Sequence, residues 1–219
     1  MAVLVVLAVA LTAYLLGSIP TGYLVALWFK GIDIRQYGSG TTGATNVLRT
    51  VGKAAAITVL LIDLLKGLAA VLLVKAMIPA LLSLEVSIGM TAAWQPWLEV
   101  LAGLMALVGH SRSIWINFTG GKSAASGLGV VLALSWPVAL GAIATFAAVL
   151  GIFRIVSLGS MVGAIAIFLL MLATGQPTPY ILLAAAGGAY VILRHQANIK
   201  RILAGQEPRL GSSFPSKSH

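Results

Sequence analysis

Residues 2–29 read AVLVVLAVALTAYLLGSIPTGYLVALWF, and no charged side chain interrupts this stretch. A helix needs about 20 apolar residues to cross a hydrocarbon core ~30 Å thick, so the stretch predicts a membrane-spanning helix with length to spare. A signal peptide would begin with basic residues and have a shorter apolar core, which favours a retained helix. Pro20 lacks an N–H and its ring clashes one turn back, so we expect a kink at this point.

The composition of the whole chain agrees with a membrane protein. Of its 219 residues, 59% belong to the AVILMFWYC set and only 9% are charged, whereas soluble domains have roughly 45–50% apolar and about 25% charged residues. So few charges cannot cover the surface of a soluble protein. This excludes a disordered chain, a nucleic-acid-binding module and a water-soluble enzyme. The absence of cysteine excludes disulfides, thiolate chemistry and lipidated cysteines.

The later apolar runs predict an all-α, polytopic integral membrane helix bundle of about seven transmembrane helices, some of them short. The run 124–153 is interrupted at Ser135-Trp136-Pro137, which predicts two short helices with a tight turn between them. If these two pieces do not cross fully, the count falls to five. A less hydrophobic connection at 79–96 contains Glu85. The other runs are 54–78, about 97–108, 156–174, and a last helix from the turn at 175–179 to about 193.

The basic residues predict the orientation of a single membrane domain that comprises residues 1–219. Twelve of the 14 Lys and Arg residues lie in alternate loops and the C-terminal tail, and cytoplasmic loops carry such an excess. The N-terminus is therefore predicted to be outside and the C-terminus cytoplasmic. The twelve are Lys30, Arg35, Arg49, Lys53, Arg112, Lys122, Arg154, Arg194, Lys200, Arg201, Arg209 and Lys217. The predicted cytoplasmic segments are 30–53, 109–123, 153–156 and the tail 194–219.

The first polar segment, residues 33–49, reads DIRQYGSGTTGATNVLR. Glycines let the backbone turn so that successive N–H groups converge on an anion, and hydroxyl groups and an arginine can complete such a site. An ordinary turn-rich loop is the alternative, but it has little need of so many small hydroxyl residues followed by an arginine. The candidate anion-binding residues are Gly38, Ser39, Gly40, Thr41, Thr45, Asn46 and Arg49.

The second polar segment, residues 118–123, reads FTGGKS and resembles the end of the phosphate-binding motif GxxxxGK[ST]. Ile116 occupies the position of the first glycine and no strand precedes it, which argues against ATP binding. Gly120, Gly121 and Lys122 lead into a predicted helix N-terminus at Ser123, where free N–H groups, the helix dipole and a lysine favour a phosphate. The alternative is a basic membrane anchor with a glycine turn.

The third polar segment, residues 194–201, follows the last helix. His195 and Asn198 are three residues apart and share a helix face, which favours a functional pair beside the two candidate anion sites. Arg154, Ser157 and Ser160, spaced three residues apart, form a polar stripe at the predicted cytoplasmic start of the helix 156–174. Serine in a membrane helix often bonds only its own backbone, so the role of this stripe stays open.

Asp63 and Lys66 lie in the middle of the second apolar run, three residues apart. Ionisable groups at that depth are functional candidates, but a mutually satisfied pair would be structural, which we favour. His110 is a further candidate for chemistry, although neither it nor His195 begins an HxxxxD acyltransferase motif. Only five acidic residues exist and they are scattered, so no metal site is predicted.

In this order, the segments resemble the bacterial acyl-phosphate:glycerol-3-phosphate acyltransferase family. Two positions depart from the family pattern, which usually has Asn where Thr41 stands and Gly where Ser123 stands. Threonine still offers a hydroxyl group, and serine suits a helix N-cap. The matching stretches are GSIPTGY at 17–23, residues 33–49, DLLKG at 63–67, GH at 109–110, FTGGKS at 118–123, RIVSLGS at 154–160 and RHQANIKRILAGQE at 194–207.

The resemblance implies acyl transfer from an acyl phosphate to the 1-hydroxyl of glycerol 3-phosphate, which yields lysophosphatidate and phosphate. This would be the first acylation step of phospholipid synthesis, at the cytoplasmic face of a bacterial inner membrane and without a cofactor. The implied partners are the two substrates, membrane lipid and, transiently, a soluble enzyme that produces acyl phosphate, with no nucleic acid. The alternative function is an organic-phosphate or anion transporter, although transporters usually place their site near the midplane. A metal-dependent lipid phosphotransferase would need more carboxylates.

The resemblance also implies roles for individual residues. Ser39, His195 and Asn198 would be catalytic, and Glu207 structural. His195 could accept the hydroxyl proton or donate a hydrogen bond to phosphate, because a substrate phosphate could itself take the proton. The implied substrate-binding residues are Gly38, Gly40, Thr41, Thr45, Asn46, Arg49, Gly120, Gly121, Lys122 and Ser160.

Overall fold

The computed structural model describes residues 2–83 and 91–211, and helices account for most of them. Glu85 and Lys217, which entered the loop and orientation predictions, lie outside these residues. The helices are α1 (Ala2–Ser18), α2 (Thr21–Lys30), α3 (Ala44–Thr50), α4 (Lys53–Ser83), α5 (Gln95–Ser111), α6 (Ala124–Leu134), α7 (Trp136–Phe153), α8 (Val156–Ala173), α9 (Thr178–Arg194) and α10 (Gln196–Leu203). Short 3₁₀ turns lie at Ile34–Gln36, Ala92–Trp94 and Ile114–Ile116.

The described residues contain four apolar stretches long enough to cross a membrane, which confirms an all-helical membrane protein. The predicted interruption near Ser135 is also confirmed, because α6 ends at Leu134 and α7 begins at Trp136. Helix α6 has 11 residues and is about 16 Å long, too short to cross the bilayer alone. The four spans are Ala2–Lys30, Lys53–Ile78, Trp136–Phe153 and Val156–Ala173.

The expected kink at Pro20 is a complete break between α1 and α2. The carbonyl groups at the end of α1 have no partners within the helix and need donors from elsewhere. Just after α1, the Ile19 carbonyl accepts the Thr21 N–H and also a hydrogen bond of 2.9 Å from Nζ of Lys66 in α4. The Ser113 hydroxyl donates to the Ser18 carbonyl. Two distant parts of the chain therefore stabilise the break.

The predicted pairing of Asp63 with Lys66 is confirmed, with Lys66 Nζ 2.8 Å from Asp63 Oδ1 and both side chains buried. His110 joins this pair, because its Nδ1 lies 3.4 Å from the same carboxylate oxygen. Since Lys66 also binds the Ile19 carbonyl, the cluster connects α4 and α5 to the break after α1. These contacts support the structural interpretation of the pair.

Several helices approach one another closely at glycines. A Cβ at Gly17 would lie 2.3 Å from the Ala106 carbonyl oxygen, and one at Gly67 would lie 2.1 Å from that of Ser126. Helix α1 thus packs against α5, and α4 against α6, at distances that only glycine permits. These contacts join the end of α1 to the last turns of α5, and the middle of α4 to the start of α6.

A second polar cluster, built around the buried Glu99, contacts the end of the short helix α6. Lys75 in α4 donates a hydrogen bond of 2.7 Å from Nζ to the Ala133 carbonyl, in the last turn of α6. Its charge is balanced by Glu99, 3.7 Å away and wholly buried. Glu99 also accepts hydrogen bonds from Tyr180 and from Gln95. A cation at the C-terminal carbonyls of a helix is favourable, so the cluster stabilises the end of α6.

Candidate active site

The glycine-rich loop of the first segment is shaped by Asn46. Its Oδ1 accepts the Ser39 N–H at 2.9 Å, and its Nδ2 donates to the carbonyls of Tyr37 and Thr41. Gly38 has φ of 56°, and a Cβ there would lie 2.2 Å from Asn46 Oδ1. Glycine is therefore required at position 38. Because its amide is engaged within the loop, Asn46 would act on substrate binding only indirectly.

The loop presents hydroxyl groups and is tied to the C-terminal tail. Ser39 Oγ lies 3.0 Å from Thr41 Oγ1, so the threonine that departs from the family pattern pairs with the candidate catalytic serine. Thr45 is partly buried in the first turn of α3. At the end of α3, Arg49 donates a hydrogen bond of 3.1 Å from its guanidinium to the Pro208 carbonyl. Arg49 therefore connects the first polar segment to the C-terminal tail, just beyond the third polar segment.

The two glycines of the second segment pack against His110. A Cβ at Gly120 would lie 2.3 Å from the His110 carbonyl oxygen, and one at Gly121 would lie 2.1 Å from His110 Nε2. The sequence predicts free N–H groups here, but the Gly121 N–H donates to the His110 carbonyl at 3.1 Å. That prediction is wrong for Gly121, because tight packing against the end of α5 engages its amide. Its carbonyl accepts a hydrogen bond from Arg194.

Ser123 precedes α6, as expected, but its side chain does not cap the helix. Its hydroxyl donates to the Leu107 carbonyl at 2.8 Å and pairs with the Ser111 hydroxyl at 2.6 Å, wholly buried. Its φ of 63° lies in the left-handed region that favours glycine. This conformation explains physically why glycine is usual at this position of the family motif.

Lys122, Asn198 and Glu207 form a continuous chain of hydrogen bonds. Lys122 Nζ donates to Asn198 Oδ1 at 2.5 Å, and Asn198 Nδ2 donates to Glu207 Oε1 at 2.6 Å. The same carboxylate accepts hydrogen bonds of 2.8 Å from the Ser157 hydroxyl and 2.6 Å from Arg201 Nε. Glu207 therefore joins the second segment, the third segment and α8, which agrees with its expected structural role.

Positive charge dominates around the Glu207 carboxylate. Burial acts to raise the pKa of Glu207, but hydrogen bonds from Asn198, Ser157 and Arg201 outweigh it, so its pKa is lowered and it stays ionised. Burial lowers the pKa of Lys122 to about 8. The charge of Glu207 opposes this shift, and the positive charges of neighbouring arginines add to it. Cations that repel one another in this way are stabilised by an anion, which the site can bind.

His195 lies between α9 and α10 with one ring nitrogen engaged. Its Nδ1 is 2.7 Å from the Val191 carbonyl oxygen, which can only accept a hydrogen bond. The proton of the neutral ring is therefore on Nδ1, and Nε2 keeps its lone pair. Burial lowers the pKa of His195 to about 4, and the charge of Lys122 contributes. At neutral pH the side chain is an uncharged hydrogen-bond acceptor at Nε2.

The structure brings all three predicted polar segments together. Not every candidate residue in or near them contacts the others. The hydroxyl of Ser160 donates to the Val156 carbonyl of its own helix at 3.0 Å, whereas Ser157 contacts Glu207. A substrate-binding role for Ser160 stays a prediction. The sequence did not predict that Glu207 accepts hydrogen bonds from three side chains. The one signal for such a role was that Glu207 is an acidic residue in a basic tail.

Comparisons with known proteins agree on one family. A family model described as glycerol-3-phosphate acyltransferase matches residues 7–205. A curated glycerol-3-phosphate acyltransferase of Rippkaea orientalis is 57% identical over 205 residues, which cover 94% of this chain and 93% of the relative. Another, of Nostoc sp., is 51% identical over 220 residues, which cover 96% and 94%.

Two solved structures are similar over almost their whole length. Both are crystal structures of PlsY, an integral membrane glycerol 3-phosphate acyltransferase. The glycerol 3-phosphate form has a TM-score of 0.82 and 36% identity, covering 94% of this chain and 96% of that one. The lysophosphatidic acid form has a TM-score of 0.78 and 35% identity, covering 93% and 94%.

Proposed function

This chain belongs to the glycerol-3-phosphate acyltransferase family, and we propose that it transfers a fatty acyl group from an acyl phosphate to the 1-hydroxyl of glycerol 3-phosphate. The products are lysophosphatidate and inorganic phosphate, in the first acylation step of phospholipid synthesis. The observation that carries the proposal is the convergence of Lys122, Arg49 and the arginines around Glu207 on one side of an apolar bundle. Both substrates carry phosphate, and an acyl chain needs lipid or apolar helices beside it.

In this proposal, the cations hold the two phosphates against their mutual repulsion. Arg49 and Lys122 bind substrate phosphate through charge-assisted hydrogen bonds, and the loop at Gly38–Thr41 brings the Ser39 hydroxyl to the acyl group. Asn198 uses its carbonyl oxygen for Lys122 and its amide for Glu207. Asn198 is thus better described as a positioning residue for Lys122 than as a catalytic residue.

The reaction needs one proton transfer and one leaving group. The 1-hydroxyl oxygen attacks the acyl carbonyl carbon, the hydroxyl proton passes to His195 Nε2, and the bond from the acyl carbon to the phosphate oxygen breaks. The electron pair leaves with phosphate, which takes up the proton. Hydroxyl groups such as that of Ser39 stabilise the negative charge that develops on the carbonyl oxygen. The tautomer of His195 supports an acceptor role over a donor role.

The deciding experiment uses purified protein with acyl phosphate and labelled glycerol 3-phosphate. Lysophosphatidate formed without acyl-CoA or nucleotide would establish the donor. Formation only with acyl-CoA would contradict it. The transporter alternative is not supported, because the similar proteins described above are acyltransferases. A soluble enzyme that makes acyl phosphate is the proposed transient partner.

The proposed topology has about seven membrane helices, some of them short, and places the N-terminus outside and the C-terminal tail, with the site, on the cytoplasmic side of a bacterial membrane. The one-sided basic residues support it, since the segments that contain them meet at one end of the bundle. Residues 30–53, 109–123, 153–156 and 194–219 are then the segments at the cytoplasmic side of a single domain.

The topology predicts the sidedness of cysteine labelling, which the cysteine-free chain makes simple to measure. Cysteine at Thr41 or at the exposed Gln206 should react with an impermeant maleimide only in inverted vesicles, and cysteine at Pro177 only in whole cells or right-side-out vesicles. The reason is that Thr41 and Gln206 belong to the basic segments, whereas Pro177 lies in an uncharged turn. Labelling of all three from the same face would refute the topology.

We also expect turnover without an added divalent metal. Within the described residues, no group of three or more His, Cys, Asp or Glu side chains is arranged to hold a metal ion. Treatment with a chelator, followed by an assay in metal-free buffer, should leave the rate unchanged. Loss of activity that Mg²⁺ or Zn²⁺ specifically restores would contradict this expectation.

A further inference from the structure

The loop Ser113–Thr119, here called the aromatic loop, exposes its large apolar side chains and buries Ser113. A loop in water usually does the opposite. The side chains of Trp115, Phe118 and Ile114 are 63%, 55% and 48% exposed, whereas Ser113 is 1% exposed. Clusters of exposed large apolar side chains are unusual on a water-facing surface and mark contacts with other molecules or with membranes. The loop belongs to a segment that its polar sequence alone would place in the cytoplasm.

The backbone holds these side chains outward. Asn117 and Phe118 have φ of 56° and 54°, a conformation that is rare for a bulky residue and costs energy unless the surroundings enforce it. The surroundings do so here, because the Ser113 N–H donates to the Thr119 carbonyl at 3.0 Å and the Phe118 N–H to the Ser113 carbonyl at 2.8 Å. Arg35 donates to the Ile116 carbonyl at 3.2 Å. The exposed position of Phe118 is thus built into the fold.

The base of the aromatic loop lies beside residues of two membrane spans, since Ser113 donates to Ser18 of the span Ala2–Lys30. His110, which is shortly before the loop, contacts Asp63 of α4. Asp63 is ten residues beyond Lys53, the start of the span Lys53–Ile78, which corresponds to about 15 Å along the helix. Between these two residues, α4 exposes Ile57, Leu60 and Leu61 by 46%, 45% and 54%. Helix α4 therefore exposes apolar side chains between the level of Asp63 and the cytoplasmic end of the helix.

We propose that the aromatic loop inserts into the interfacial region of the lipid bilayer, with Trp115 and Phe118 among the lipid glycerol groups and upper acyl chains. Tryptophan and tyrosine side chains concentrate at this depth. The occupant is lipid and not a soluble protein, because the base of the loop is bonded to a membrane span: Ser113 donates to the carbonyl of Ser18, which lies within the span Ala2–Lys30. Insertion does not depend on the reaction. Its consequence, which rests on the proposed function, is that Lys122 meets phosphate at headgroup depth while the acyl chain stays in lipid.

Tryptophan fluorescence in proteoliposomes tests the insertion. In a variant with Trp28, Trp94, Trp97 and Trp136 replaced by phenylalanine, Trp115 is the remaining tryptophan. We expect strong quenching by lipids brominated near the headgroup end of the acyl chain and little quenching by aqueous iodide. Strong quenching by iodide with none by the brominated lipid would overturn the proposal and indicate a water-facing surface suited to a soluble protein.

A second measurement needs only one substitution. Phe118→Cys and the control Gln206→Cys each carry one cysteine, and both residues are exposed on the isolated protein. In inverted vesicles, an impermeant maleimide should label position 118 at least about tenfold more slowly than position 206. The reason is that a thiol in lipid stays protonated and the reagent does not reach it. Equal rates would overturn the proposal, whatever the enzyme's activity.

Discussion

Replacement of His195 by alanine is expected to lower kcat by about 10²–10⁴-fold, while the KM for glycerol 3-phosphate stays close to that of the wild type. The reason is that Nε2 accepts the hydroxyl proton only as the acyl group is attacked, so its loss affects the transition state more than substrate binding. Steady-state kinetics of the purified variant measure both constants. The exposed neighbour variant Gln196→Ala should behave as the wild type and serves as the matched control.

The variant His195→Asn distinguishes the two roles that the sequence left open. Asparagine can donate a hydrogen bond to phosphate but cannot serve as a base, so we expect it to be nearly as inactive as His195→Ala. If it retained most of the wild-type kcat, His195 would be a donor and a substrate phosphate would take the proton.

The dependence on pH provides an independent measurement of the same distinction. The pKa of His195 is lowered to about 4, so the ring loses its basic form only as the pH falls through about 4. Activity limited by His195 should therefore persist down to mildly acidic pH. A phosphate monoester that served as the base would be protonated as the pH falls through about 6, and the rate would decline there.

Lys122→Ala should raise the KM for a phosphorylated substrate by roughly 10–100-fold, with a smaller change in kcat. A charge-assisted hydrogen bond contributes about 1.5–3 kcal/mol, and the charge of Lys122 acts on the phosphate in the ground state and the transition state alike. Lys200→Ala removes an exposed lysine of α10 and should leave the KM unchanged. An unchanged KM with a lowered kcat for Lys122→Ala would contradict the binding role.

The charge of Lys122 also predicts a rise of the wild-type KM in alkaline solution. Its pKa is lowered to about 8, so the ammonium is mostly charged at neutral pH and loses its proton as the pH rises through about 8. The neutral amine of Lys122 no longer attracts the substrate phosphate, so the KM rises. In Lys122→Ala this part of the pH dependence of KM should be absent, which a pH series on both proteins would show.

The sequence by itself determined the features that depend on neighbouring residues. A run of apolar residues longer than a membrane is thick requires a helix there, whatever the rest of the chain does, because backbone groups in lipid must bond within the segment. Pro20 and Ser135-Trp136-Pro137 interrupt the helices, since proline lacks the N–H that continues them. The pairing of Asp63 with Lys66 follows from a spacing of three on one helix. Membrane class and helix breaks were therefore predictable.

Only the tertiary structure decided how the polar side chains are used. Lys122 and Asn198 are 76 residues apart, and Ser157 and Glu207 are 50 apart, so no local pattern could connect them. A side chain's free energy in the site depends on which partners remain for it after folding. The engagement of Asn46 within its own loop follows from such partners. Helix packing likewise decides two further features. The Gly121 N–H donates to the His110 carbonyl, and the backbone at Ser123 is left-handed.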